Sequence, residues 1–495
     1  MTNILKIHPK DNVAVAIQPL GKGCKIEVDE KVVLVLENIP AGHKIALRDI
    51  EEGEDIIKYG FPIGHATETK MAGSWMNEKN IRTNLSGKLE YEYNKKETIP
   101  SPGERQMPRT FMGYKRKDGQ VGIRNEVWII PTVGCVNGIA NRLADKLRQE
   151  TGADNIHAFT HNYGCSQLGE DHENTKRILR CMVHHPNAGA ILVVGLGCEN
   201  NQPDVFEQFC GNYDKERVRF VVTQKIKGDE TDYCMSVLQE LYAKTQNDKR
   251  TECPLSELRV GLKCGGSDGF SGITANPLLG VYSDYLVAQG GTTVLTEVPE
   301  MFGSETLLMD RCINRAVFDK TVRLINDFKE YFLSHGEPVG ENPSPGNKAG
   351  GISTLEEKAI GCTQKCGSSA VQDVLSYGDR LQEKGLNLLS APGNDLVAST
   401  ALAAAGCHII LFTTGRGTPF GTFVPTMKIS TNSQLFQDKP HWIDFNAGGI
   451  VEGEQMEYVS KRFSEFILEV ANGQETNNER NGYREISIFK NGVTL

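Results

Sequence analysis

A chain of 495 residues exceeds what one hydrophobic core usually spans, so roughly two to four folded units are expected. A hydrophobic fraction of 39% and a charged fraction of 24% are those of an ordinary globular protein and exclude wholesale disorder. The 54 Lys and Arg against 63 Asp and Glu leave a formal charge of -9, which repels a phosphate backbone and anionic lipid, so no nucleic acid and no membrane are expected as partners.

Met1 to Val15 lacks a basic-then-apolar leader pattern. No apolar run reaches the roughly 18–20 residues of a membrane span, so the expected location is cytoplasmic. Thirteen cysteines are an odd number scattered over a long chain, and without an export signal they are not expected to build a disulfide framework. Their roles are therefore local.

Taken in chain order, residues 1–85 carry short apolar runs, Val13-Ala14-Val15, Val32 to Leu36 and Ile56-Ile57, separated by Gly and Asp turn signals, and predict a small β-rich domain. Residues 86–110 are polar, with Pro100, Pro102 and Pro108, the composition of a linker. Over 111–250 apolar strand-like runs alternate with helical stretches, the mark of a mostly parallel sheet with helices on its faces; strands are expected at Val127 to Val133, Ile156 to Thr160, Ala190 to Val194 and Val218 to Val222. A polar stretch, Thr245 to Ser256, precedes a second α/β region over 251–495, with strands near Leu258 to Leu262, Thr292 to Thr296, Leu386 to Leu389 and Ile409 to Phe412. The fold class is thus multidomain α/β: a small β domain followed by two regions with mostly parallel sheets.

Three expected strands end alike, in Val133-Gly134-Cys135, Tyr163-Gly164-Cys165 and Leu196-Gly197-Cys198. These cysteines recur at close to the roughly 30 residues that one strand-helix-strand unit occupies, so each falls past the carboxyl end of a strand, the edge where ligands bind to open α/β sheets. Cys264, in Leu262-Lys263-Cys264-Gly265-Gly266, ends the first strand of the last region and is expected to approach the same crevice, with His161 adding an imidazole. Thiolates with an imidazole suit zinc, ferrous iron or an iron–sulfur cluster, whereas an isolated unbridged cysteine is more often a small buried hydrophobe.

Gly195 to Asn200 superficially has the look of a dinucleotide fingerprint, but Asn200 stands where its third glycine belongs and no acid ends the strand at Val222. Cys264 to Gly272 is a glycine-rich strand-end loop in which Ser267 and Asp268 are suited to a carboxylate or sugar hydroxyl; the plainer reading is a tight turn with Asp268 capping a helix. Asn342 to Gly351 has the composition of a lid carrying one cation, Lys348, or of a rigid crossover with that lysine solvated. Arg416, between Gly415 and Gly417 at another strand end, suits a bidentate carboxylate contact or, alternatively, an ion pair between domains. Proton transfer needs a group with reach and a pKa near the working pH, for which His161, His43 and Asp268 are the candidates, in that order.

Tyr163 to Gly169, Gly195 to Gln202, Gly265 to Pro277, Pro345 to Lys348 and Thr414 to Gly421, taken together, resemble the altronate dehydratases of the altronate/galactarate dehydratase family along nearly the whole chain. The resemblance implies a β-clip (SAF-like) first domain, a hydro-lyase converting D-altronate to 2-dehydro-3-deoxy-D-gluconate in hexuronate breakdown, and ferrous iron as the requirement, with an iron–sulfur cluster or manganese as alternatives. Galactarate or another sugar acid is the alternative substrate, and a homo-oligomer is left open. Where such enzymes often carry a histidine-rich stretch at the end of the first domain, this chain has Ser74 to Asn80. Two readings of other kinds stand beside the dehydratase: a nicotinamide oxidoreductase, motivated by Gly195 to Asn200, and a non-catalytic sugar-acid sensor using the first domain.

Overall fold

The structure is a computed structural model that describes residues 3–85, 87–96, 109–340, 342–492 and 494–495. The first domain is built from nine short strands, β1 (Ile4–Leu5), β2 (Val13–Ala16), β3 (Lys25–Val28), β4 (Lys31–Leu34), β5 (Lys44–Ala46), β6 (Asp55–Lys58), β7 (Phe61–Ala66), β8 (Trp75–Met76) and β9 (Ile81–Arg82). They pair antiparallel as β1-β2-β5-β8, β3-β4 and β6-β7-β9. Asp29-Glu30 and Tyr59-Gly60 all have positive φ, the two-residue turn that matches the twist of a tight hairpin. The alternating apolar side chains close two small cores, one around Val33, Val35 and Ile45 and the other around Val13, Ile56 and Ile63.

The expected linker lies partly outside the described residues. Within its described part, the Tyr91 hydroxyl donates to Glu305 at 2.6 Å and the Tyr93 hydroxyl to the Cys312 carbonyl at 2.8 Å, so the strand-free segment is laid along the last region. The second region opens with β10 (Thr110–Lys115) and β11 (Val121–Gly122). Its four-stranded sheet then follows as β12 (Glu126–Pro131), α1 (Asn137–Thr151), β13 (Ile156–Ala158), α2 (Gly169–Val183), β14 (Ala188–Gly195), α3 (Pro203–Cys210), β15 (Val218–Val222) and α4 (Glu230–Thr245). The strands run parallel in the order β13-β12-β14-β15. Helix α1 buries Ala140, Leu143, Ala144 and Leu147, the three-and-four spacing of one helical face, and stops at Gly152 in the left-handed conformation. The polar stretch expected to separate the two regions forms β16 (Thr251–Pro254), which pairs back onto β10.

The last region holds β17 (Arg259–Cys264), α5 (Ala275–Ala288), β18 (Thr292–Leu295), α6 (Glu305–Met309), α7 (Arg315–Ser334), α8 (Pro345–Ala349), α9 (Leu355–Thr363), β19 (Val371–Leu375), β20 (Gly385–Leu389), α10 (Asp395–Ala404), β21 (Ile409–Thr414), β22 (Thr426–Ser430), α11 (Ser433–Asp438), β23 (Phe445–Asn446) and α12 (Met456–Ala471). Its seven strands are all parallel, in the order β19-β20-β18-β17-β21-β22-β23. Near-continuous apolar runs such as Ile409-Ile410-Leu411-Phe412 suit strands covered on both faces. The two α/β regions share one core, in which Trp128 and Phe159 of the second region pack with Leu402 and Phe423 of the last. No helix among the described residues is long and apolar enough to cross a membrane.

Candidate active site

Two carboxyl edges gather the candidate site residues. In the large sheet the chain leaves β17 toward β18 on one side and resumes at β21 on the other, so the loops after β17 and β21 meet at a topological switch point. They are laced together: Gly265 donates to the Thr413 carbonyl at 3.0 Å and Gly415 to Gly266 at 3.1 Å. Asp268 ties this lacing at its centre. Its carboxylate accepts from the Phe270 amide (3.1 Å), the Ser271 hydroxyl (3.1 Å), the Thr431 hydroxyl (2.9 Å) and the Asn432 amide (3.2 Å). Burial lifts its pKa above the ordinary aspartate value while those bonds pull against it. With four donors in place, Asp268 is a fastening between loops rather than an available base.

The segment expected as a lid or a rigid crossover is ordered by its own chemistry, as a crossover would be. Ser344 and Asn347 form a reciprocal cap on the one-turn helix α8, and the Asn347 side chain donates to the carbonyl of buried Ser267 at 2.9 Å. The β-clip domain presses onto this turn: Gly269 and Gly351 both sit so close to the Gly42 carbonyl that a Cβ on either would clash with it, at 1.9 and 2.3 Å. The His43 ring lies between, with Nε2 3.2 Å from the Ala349 carbonyl and Nδ1 accepting from the Trp75 indole at 3.2 Å. Nδ1 therefore accepts and Nε2–H donates, and burial holds the ring below its ordinary pKa. Both ring nitrogens of His43, a candidate base, are thus engaged within the protein. What remains presented outward are Arg416, exposed and bonded through one N–H to the Gly346 carbonyl at 3.1 Å, and the partly exposed Lys348.

Beneath these loops lies a buried charge network with little sequence warning. Lys263 pairs with Glu297 and, at 2.9 Å, Asp395; Lys365 contacts Glu297 at 2.8 Å and the Cys264 sulfur at 2.9 Å. Cys264 Sγ lies 3.3 Å from Cys362 Sγ, and both are 3.2 Å from Glu300, which pairs with Lys358 at 2.7 Å. One layer outward, Glu357 receives Lys44 (2.8 Å) and Lys58 (2.7 Å) from the β-clip domain. Burial alone would raise Glu357, but Lys44 and Lys58 hold it down at about 2. The cavity against this network is only about 10 Å³, too small for more than a single water. Cys264 is thus enclosed by Glu297, Glu300, Cys362 and Lys365, and the expected four-thiol set is not one site: β17 includes Cys264 as its last, inward-facing residue.

The other three cysteines come together at the second edge, that of the small sheet, where β13 and β14 flank β12. Cys135, Cys165 and Cys198 are all free and exposed, each between a strand end and the helix that follows. Their loops are stitched: Gly134 donates to the Tyr163 carbonyl (2.9 Å), Asn201 to Gly164 (3.0 Å), Ser166 to the Asn200 side chain (2.9 Å) and the Asn201 side chain to Thr132 (3.1 Å). A Cβ at Gly164 would stand 2.1 Å from the Thr132 carbonyl, and Gly164 has φ +95°, so this loop reaches its neighbour only with glycine. Glu199 underpins the set, accepting from Thr132, Leu196 and Gly197 at 2.6, 3.0 and 2.6 Å. His161 does not point at the thiols. Its Nε2 donates to Pro131 at 2.8 Å, its Nδ1 accepts from the Tyr163 amide at 3.1 Å, and burial lowers its pKa to about 4. His161 therefore braces the Cys165 loop, with both ring nitrogens bonded to backbone rather than turned to the thiols.

Comparison with known proteins agrees with this three-part layout. Residues 2–84 match the altronate/galactarate dehydratase SAF domain, residues 113–246 the second domain of D-galactarate dehydratase/altronate hydrolase, and residues 255–494 the C-terminal part of D-galactarate/altronate dehydratase. The chain is 55% identical to the altronate dehydratase of Bacillus subtilis (strain 168), covering 100% of both, and 55% identical to that of Escherichia coli (strain K12), covering 99% of both. It is 33% identical to the galactarate dehydratase (L-threo-forming) of Escherichia coli (strain K12), covering 95% of this chain and 93% of that one. Family models over three successive segments and end-to-end identity of this order leave one conclusion: the chain belongs to the altronate/galactarate dehydratase family.

Proposed function

We propose that this protein is a hydro-lyase that removes water from D-altronate to give 2-dehydro-3-deoxy-D-gluconate, using bound iron. The observation that carries the reading is 55% identity, over 99–100% of each chain, to two proteins named altronate dehydratase, against 33% to the galactarate enzyme. Dehydration takes the hydrogen from C2 and the hydroxyl from C3, and the resulting enol tautomerises to the 2-keto acid. Iron supplies a Lewis acid for the leaving hydroxyl when bound.

The chain's own contribution at the large sheet is anion capture. Arg416 and Lys348 stand at the switch-point loops as cations facing outward, suited to hold a carboxylate as negative charge builds on it. Ser267 and Asp268 set those loops rather than transfer protons, since Ser267 is buried beneath Asn347 and Asp268 is saturated with donors. Three free thiols at the edge of the small sheet have the donor chemistry that fits iron. We also place the protein in the cytoplasm, a reading supported by thirteen cysteines that are all unbridged.

The test is to purify the protein anaerobically, supply ferrous iron, and compare keto-acid formation from D-altronate and galactarate. Preferential turnover of altronate is expected. Preferential turnover of galactarate would transfer the assignment to the other branch of the family, and binding of either acid without turnover would favour a sensor.

A further inference from the structure

We infer that Cys135, Cys165 and Cys198 together hold one [4Fe–4S] cluster at the carboxyl edge of the four-stranded sheet, leaving one of its irons without a protein thiolate. This deepens the iron-dependent reading above and takes from it only the identity of the metal; the placement comes from the loops themselves.

Two observations converge. The thiols sit on loops that leave three adjacent parallel strands, β13, β12 and β14, and direct backbone bonds between those loops fix their mutual spacing before any metal arrives. All three sulfurs are free and exposed, and two already have polar neighbours of the kind that supports bound sulfur: the Gln224 amide 3.4 Å from Cys198 and the Ser166 hydroxyl 3.7 Å from Cys165.

The spacing of the thiols bears on the choice between a cluster and a single ion. Among the described residues, one group of at least three His, Cys, Asp or Glu side chains brings its ligand atoms within 4.8 Å of one another, and it is Cys264, Glu300 and Cys362. The three exposed thiols are therefore spread more widely than a single ion gathers its ligands, whereas a cuboidal cluster offers each thiolate its own iron. The compact group is the poorer host despite its tightness: Lys365 lies 2.9 Å from Cys264, Lys358 2.7 Å from Glu300, and Lys263 adjoins Glu297, so ammonium groups already occupy the place of a cation. An iron left without a thiolate gives a substrate hydroxyl a position to approach, which a four-thiolate site does not.

The experiment is anaerobic reconstitution of the full chain with ferrous iron and sulfide, followed by iron and acid-labile sulfide determination and Mössbauer spectroscopy. About four irons and four sulfides per chain are expected. Each of Cys135→Ser, Cys165→Ser and Cys198→Ser should bring both below about one per chain with an unchanged circular dichroism spectrum, while Cys24→Ser, an exposed thiol of the β-clip domain, keeps them. At most one iron without sulfide in the wild type would overturn the cluster, as would a triple Cys135, Cys165, Cys198 variant that retains it. Altronate turnover measured on the same samples keeps the two readings apart. A cluster without turnover leaves this inference standing and removes the substrate assignment; full turnover by the triple variant does the reverse.

Discussion

The two carboxyl edges of this molecule solve opposite problems with similar-looking sequence. The edge of the large sheet is closed beneath its surface cations: its cysteine is 1% exposed, its buried lysines are paired, and the β-clip domain is bolted over it through Lys44, Lys58 and Glu357. The edge of the small sheet is open, with three thiols reaching solvent and the polar effort spent on holding backbone loops together. The difference teaches that a strand-end cysteine is read by its distance from the last paired residue. Cys264 is itself the end of β17, whereas Cys135, Cys198 and Cys165 lie beyond the ends of β12, β14 and β13 at Pro131, Gly195 and Ala158.

Breaking the open edge should cost function and little stability. Cys165→Ser is expected to lower altronate turnover by at least about 100-fold while changing the free energy of urea unfolding by less than about 0.5 kcal/mol, as for other exposed positions. An equal loss of stability would mean that the thiol is structural. Breaking the closed edge should do the converse. Glu357→Gln leaves Lys44 and Lys58 buried without a counter-charge, and about 3–5 kcal/mol should be lost from the first unfolding transition.

Acid sharpens the same contrast. Glu357 and Glu479, the latter held by Arg124, have folded-state pKa values of about 2 against the ordinary 4.5, because their cations outweigh the cost of burial. Between pH 4.5 and 2 the unfolded chain binds more protons than the folded one, so this stabilisation is whole above pH 4.5 and drains away as pH falls toward 2. The melting temperature should drop through that window, and less steeply in Glu357→Gln. Arg416→Gln removes the proposed charge-assisted contact to a substrate carboxylate, so kcat/KM should fall by roughly 10- to 100-fold with iron content unchanged. Trp75→Phe deletes the indole bond to His43 and should cost about 1 kcal/mol at the domain contact.

Much of the architecture was legible because apolar runs such as Val127 to Pro131 and Ile409 to Phe412 are buried on both faces. β22 escaped notice because Thr426, Lys428 and Ser430 alternate with apolar residues and are nonetheless buried, and β19 because Gln372 and Asp373 give it the half-polar look of a loop. Pro345 to Ala349 read as a lid because the residues that cap a helical turn, Ser344, Pro345 and Asn347, are also loop formers. The repeated Gly-Cys pairs were visible as a pattern, but nothing local separates them from Cys264. His161 was drawn to the thiols by proximity in sequence, while its ring turns to Pro131 and Tyr163. The buried lysines were the hardest to foresee: a lysine is normally a surface residue, and the partner of Lys44 stands 313 positions away.

The most direct test of the hydro-lyase assignment is to incubate the iron-loaded protein with D-altronate in deuterium oxide and follow the product by NMR. The account predicts 2-dehydro-3-deoxy-D-gluconate carrying one solvent-derived deuterium at C3, the carbon that loses its hydroxyl and is reprotonated when the enol collapses. Recovery of unchanged altronate, or a product that retains the C3 oxygen, would contradict it.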